Sequence, residues 1–180
     1  MKHRLPNVLT YSRIAIIPLI AIVFYIPGDW GRWLAAGLFV LAGFTDFLDG
    51  YLARMWQVQS SIGRMLDPIA DKLLVATALL LLVSAGRADL LPAAAIVCRE
   101  ILVSGLREFL ASLQISVPVS QLGKVKTAVQ MLAITLLLFG DVHMQSDWIT
   151  FSGNILLWLA AVFTLITGYA YLRTGIAYLK

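Results

Sequence analysis

Charge is scarce in this chain. Only 13% of its 180 residues are Asp, Glu, Lys or Arg, against about 25% in a soluble domain. With 60% of the residues hydrophobic, too little polar surface is left to face water, and an ordinary soluble domain is excluded. Cysteine is nearly absent. The single Cys98 excludes an internal disulfide and reads as a small buried hydrophobe. Histidine is limited to His3 and His143, so no zinc-type spacing exists. The net charge of +4 does not point to nucleic acid. It comes from Lys and Arg that flank apolar runs and meet anionic lipid. The first apolar run is long and ends in Ile26-Pro27-Gly28-Asp29 with no small-residue cleavage site, so no cleaved signal peptide is expected.

What the chain does have is a series of apolar runs. They predict spans at about Val8–Ile26, Arg32–Arg54, Gly63–Ala85, Leu90–Ala111, Gly123–Gly140 and Ile149–Leu172. Each is long enough to cross a hydrocarbon core of roughly 30 Å. The expected fold is an all-α integral membrane protein, one domain over residues 1–180, with six transmembrane helices. The polar stretch before the first span is expected to lie along the interface as a short helix, and Arg13 to snorkel toward the headgroups. In this topology Arg32 and Arg87 fall on one side. Lys2, Arg4, Arg13, Arg54, Arg64, Lys72, Arg107, Lys124, Lys126, Arg173 and Lys180 fall on the other. The positive-inside rule then puts both termini in the cytoplasm, in the cell's inner membrane. Trp30, Trp33, Trp148 and Trp158 fit belts or lipid-facing positions, and Asp141, His143 and Asp147 read as a solvated outer loop.

The unusual stretch is Asp46 to Asp71, which reads DFLDGYLAR, eight residues, then GRMLDPIAD. A carboxylate at the centre of a membrane helix costs roughly 2.5–3.5 kcal/mol, so a cluster of them needs compensating charge. Divalent cations are the natural candidates, because hard ions bind carboxylate oxygen. Asp46 and Asp49 are three apart, and Asp67 and Asp71 four apart, so each pair shares one helix face. Gly50, Ala53 and Gly63 line these faces and permit close approach. Four carboxylates converging on one spot can hold two metals and clamp a phosphoryl group. The plain alternative is a set of ion pairs with Arg54, Arg64 and Lys72.

The pattern Asp-x2-Asp-Gly-x2-Ala-Arg-x8-Gly-x3-Asp-x3-Asp resembles the signature of the CDP-alcohol phosphatidyltransferases, with every fixed position present. The resemblance implies a CDP-linked lipid such as CDP-diacylglycerol as donor, attack by an alcohol on the phosphorus next to the lipid, and departure of CMP. It implies two ions, Mg2+ or Mn2+, held by Asp46, Asp49, Asp67 and Asp71. Asp71 is also the expected catalytic base. Gly50, Ala53, Arg54 and Gly63 would form the CDP-lipid site, at the cytoplasmic face. The family also suggests a homodimer.

A second basic set comprises Arg107, Lys124, Lys126 and Arg173, with Arg99 inside the fourth span. One reading pairs Glu100 and Glu108 with these cations to tie the bundle together. The other makes them an anion pocket for a phosphorylated alcohol. PNVLTYSR, REILVSGLREF and GKVKT look like the branch of the family that accepts sn-glycerol 3-phosphate and makes phosphatidylglycerophosphate. Sister activities would use phosphatidylglycerol or an inositol phosphate. A divalent-cation transporter or sensor would use the same carboxylates without binding cytidine.

Overall fold

The computed structural model describes residues 5–56, 61–115, 121–140 and 148–178; at 5–10, 47, 49–54, 56, 61–62, 64–65 and 121 only the backbone is described. The chain forms α1 (Leu5–Phe24), α2 (Asp29–Trp56), α3 (Ser61–Ser84), α4 (Leu90–Ser112), α5 (Gln121–Phe139) and α6 (Trp148–Ala177). No strand occurs among the described residues.

Helix α1 differs from expectation in one respect. It runs unbroken from Leu5 through Arg13 into the apolar run, so no separate interfacial helix precedes it among the described residues. Pro6 lies in its first turn, where a missing N–H costs nothing. Pro68 lies inside α3, and Lys72 Nζ donates to its carbonyl at 2.7 Å.

The helix ends follow from backbone chemistry. At the end of α3, Gly86 N–H donates to Val83 O (3.0 Å) and Arg87 N–H to Leu82 O (2.9 Å). This Schellman pattern needs a left-handed residue at Gly86, where φ is +68°. The end of α4 repeats it: Gln114 N–H donates to Ala111 O (3.0 Å) and Ile115 N–H to Leu110 O (2.9 Å). Here Gln114 takes the left-handed position at φ +59° without being glycine.

The helices alternate in direction. Arg87, between α3 and α4, lies over the Phe24 ring at the end of α1. It donates to Leu138 O at the end of α5 (3.5 Å) and accepts at its carbonyl from Asn154 Nδ2 near the start of α6 (3.0 Å). Helix α6 packs on α5 and α4, α1 packs on α2 and α3, and α2–α5 and α3–α4 contacts join these groups. Phe39, Leu74, Leu82, Ile96, Ile134, Leu137 and Leu157 fill the centre, between Ala35, Ala36, Ala42, Ala78, Ala133 and Ala160. Small residues at such contacts bring backbones close and raise dispersion contact, the main packing force when the surroundings are as apolar as the core.

The outer faces are apolar as well. Ile22, Leu80, Leu91, Ile101, Phe151 and Leu165 all point outward, as do Trp30 and Trp148. A surface of this kind belongs in lipid rather than water. By length and apolarity, Leu122–Phe139 and Trp148–Ala177 are able to cross a membrane. The charges that populate α2, α3 and α4 make those helices less apolar. Cys98 is exposed rather than buried. It lies on the outward stripe of α4 with Leu91 and Ile101, where a small apolar side chain can face lipid at no cost.

Candidate active site

Helices α2 and α3 bring the acidic segments together. Asp46 lies within electrostatic range of both Asp67 and Asp71. Asp49, Gly50, Ala53 and Arg54 follow on the last turns of α2, with side chains outside the described residues, and Gly63 is buried in the first turn of α3. Like charges gathered in a weakly polar interior repel, and cations close by offset this. Arg13 is the principal one. Its Nη1 lies 2.6 Å from Asp46 Oδ1, and its side chain is 0% exposed.

The expectation that Arg13 snorkels is therefore corrected. The α1 surface that carries Arg13 faces α2, so its guanidinium finds a carboxylate inward sooner than it finds water outward. Lys72 and Arg13 are also both within electrostatic range of Asp71. Among the described residues no three Asp, Glu, His or Cys side chains are grouped as a metal site. Asp46 is drawn toward Arg13, and Asp49 is not among the described side chains. The donors on hand are all carboxylate oxygens, the chemistry that hard divalent cations select.

Asp71 also opens onto a second space. A cavity of about 200 Å³ is lined by Asp71 and Lys72 from α3, Arg99, Glu100 and Arg107 from α4, and Lys126 from α5. Glu100 is, with Asp71, one of the two carboxylates that line this cavity. It pairs with Lys126 Nζ and lies 3.4 Å from Arg99 Nη1. Arg99 Nη2 donates to Thr167 Oγ1 of α6 at 3.2 Å. Arg99 runs across Gly168, where a Cβ would stand only 2.8 Å from Arg99 Cγ. Arg107 is placed over the Tyr171 ring at 5.6 Å.

The second basic set therefore separates. Arg107 and Lys126 share the cavity with Asp71. Lys124 is exposed on the first turn of α5 and does not line it. Arg173 lines a different hollow of about 670 Å³ near the end of α6, with Tyr169, Thr174 and Tyr178. Glu100 does tie helices together, through Lys126 and Arg99, whereas Glu108 is exposed. The sequence places Arg99 in the second basic set but offers no binding role for Glu100, Lys72 or Ser104, and all four line the cavity. An adjacent acid and base in mid-helix, surrounded by apolar residues, was the available signal.

Comparison with known proteins adds a separate observation. The sequence model of the CDP-alcohol phosphatidyltransferase family matches residues 3–166. A protein of Rickettsia bellii (strain RML369-C) named CDP-diacylglycerol--glycerol-3-phosphate 3-phosphatidyltransferase is 50% identical over 173 residues, covering 96% of this chain and 96% of its own. A protein of the same name from Escherichia coli (strain K12) is 41% identical over 179 residues, with coverage of 97% and 96%. A third, from Cereibacter sphaeroides, is 37% identical over 218 residues, with coverage of 100% and 99%.

Proposed function

The chain belongs to the CDP-alcohol phosphatidyltransferase family, and we propose that it transfers a phosphatidyl group from CDP-diacylglycerol to sn-glycerol 3-phosphate, giving phosphatidylglycerophosphate and CMP. The observation that carries this reading is the cavity that puts Asp71 in one space with Arg107 and Lys126. A reactive carboxylate beside a basic chamber suits an acceptor that is both an alcohol and an anion. The near full-length relatives of that name support the same acceptor.

In this mechanism Arg107 and Lys126 bind the acceptor phosphate. Arg can do so through two parallel hydrogen bonds, Lys as a point charge. Lys124 and Arg173, outside the cavity, draw the anion toward it. The acceptor hydroxyl then points at Asp71, whose carboxylate takes its proton. The hydroxyl oxygen attacks the phosphorus next to the diacylglycerol, the bond from that phosphorus to CMP breaks, and CMP leaves with the electron pair. Gly50, Ala53 and Gly63 leave room for the CDP-lipid headgroup, and Arg54 pairs with its phosphates. Asp46, Asp49, Asp67 and Asp71 would hold two divalent ions, Mg2+ or Mn2+, which when bound neutralise the diphosphate and stabilise the departing CMP. The all-carboxylate donor set and the placement of Asp46 within electrostatic range of both Asp67 and Asp71 support that assignment.

The alternating helices and apolar exterior support a single six-span membrane domain with both termini on one side, and the excess of Lys and Arg on that side favours the cytoplasmic face of the inner membrane, where nucleotide and metal are available. The family resemblance supports a homodimer as the functional unit. The test is CMP release by purified protein in detergent micelles with CDP-diacylglycerol and Mg2+ or Mn2+. Glycerol 3-phosphate, phosphatidylglycerol, inositol phosphate, inositol and serine are offered singly. Release only with glycerol 3-phosphate is expected. Release with another acceptor moves the chain to a sister activity, and metal binding without any release overturns the enzyme reading.

A further inference from the structure

A carboxylate in a chamber meant for an anion is out of place. It repels the ligand that the surrounding cations attract, so its presence needs a physical reason. Glu100 projects from the middle of α4 into the space shared by Asp71, Arg107 and Lys126. Lys126 is one of the few buried charged residues of the described chain, and Glu100 is its carboxylate partner. A lysine side chain has a long flexible stem and a point charge, so without a fixed partner its ammonium has no defined position.

Glu100 supplies that fixed point because its own side is braced. Arg99, next in the chain, lies 3.4 Å from it and is anchored on α6 by Thr167 Oγ1 at 3.2 Å. Thr167 in turn donates to Phe163 O at 2.7 Å. Gly168 supplies the notch that lets Arg99 reach across, since a Cβ there would stand 2.8 Å from Arg99 Cγ. The chain of contacts runs from α6 through Arg99 and Glu100 to Lys126 on α5, and ends in the space beside Asp71.

We propose that Glu100 is a positioning residue for the acceptor: through Lys126 it fixes where the acceptor phosphate sits, and therefore where the acceptor hydroxyl meets Asp71. This rests on reading the chamber as the acceptor site. Glu100 itself need not touch substrate. When the phosphate arrives, the ammonium of Lys126 is shared between the carboxylate and the phosphate, as charge-assisted hydrogen bonds allow.

The test is a double-mutant cycle read through CMP release, with E100Q, K126M and the double variant compared in detergent at saturating metal. E100Q is expected to raise the KM for glycerol 3-phosphate about ten- to a hundredfold, the value of one charge-assisted hydrogen bond, with the KM for CDP-diacylglycerol unchanged. K126M should do the same, and the double variant should be no worse than K126M alone, because both act through one contact. E100D, which keeps the charge on a shorter arm, should recover part of the loss. If E100Q does not fold, the same cycle is run with E100D. Multiplicative effects in the double variant, or an equal rise in both KM values, would overturn the assignment. A wild type whose CMP release is indifferent to glycerol 3-phosphate would instead overturn the reading of the chamber, so the two failures are distinguishable.

Discussion

Arg13→Met keeps most of the side-chain volume and removes the charge. Arg13 is wholly buried and lies 2.6 Å from Asp46, whose side chain is 44% exposed. Breaking a buried ion pair by removing one partner costs about 3–5 kcal/mol. Water can reach Asp46 and take over part of the lost interaction, so the loss for Arg13→Met should be nearer 2–3 kcal/mol by the same rule. The reverse change is worse. Asp46→Asn leaves a guanidinium that water cannot reach facing an amide oxygen and the field of Asp71, and it relieves some carboxylate repulsion, so the loss should lie toward the lower end of about 3–5 kcal/mol. The double variant should cost less than the sum of the two, by on the order of 1–3 kcal/mol. Thermal unfolding in detergent, followed by helical circular dichroism with divalent ions removed, reads all three. At about 2–4 °C per kcal/mol for a chain of this size, Arg13→Met should lower Tm by about 4–12 °C. Strict additivity, or Arg13→Met costing more than Asp46→Asn, would refute the asymmetry drawn from their burial.

Gly168→Ala places a Cβ against Arg99 Cγ at 2.8 Å; we expect a loss of about 1–3 kcal/mol from overpacking, with a raised KM for glycerol 3-phosphate, and an unchanged KM would show that Arg99 yields freely. Arg107→Ala should raise that KM about tenfold or more, and Arg173→Ala by much less, because only Arg107 shares the cavity with Asp71; equal effects would widen the site to the end of α6. Exhaustive chelation should abolish CMP release, with recovery on Mg2+ or Mn2+ and none on Na+; turnover that survives chelation would remove the metals from the mechanism. Asp71→Asn should stop CMP release while CDP-diacylglycerol still binds, and normal turnover by that variant would remove Asp71 as the base.

The helices were legible because apolar runs punctuated by Pro27-Gly28, Gly86 and polar clusters mark both element and boundary. The acidic faces were legible because spacing along one helix determines which side chains share a face. What one dimension could not show is which helix lies opposite. Arg13 is 33 positions before Asp46, and only the packing of α1 on α2 turns an expected interfacial arginine into a buried partner. Glu100 and Lys126 are 26 positions apart on different helices, so their pairing is a tertiary fact. Cys98 illustrates a limit particular to lipid surroundings. When both the core and the outer face are apolar, periodicity no longer separates inside from outside, and a small apolar residue fits either.

Phosphatidyl transfer to glycerol 3-phosphate is tested most directly by following both products of one reaction. Purified protein is given CDP-diacylglycerol, metal and isotopically labelled glycerol 3-phosphate, and CMP and labelled lipid are quantified together by mass spectrometry. Equal amounts of CMP and labelled phosphatidylglycerophosphate, rising in step, are predicted. CMP without labelled lipid would mean that water is the acceptor, and would contradict the assignment of the chamber beside Asp71.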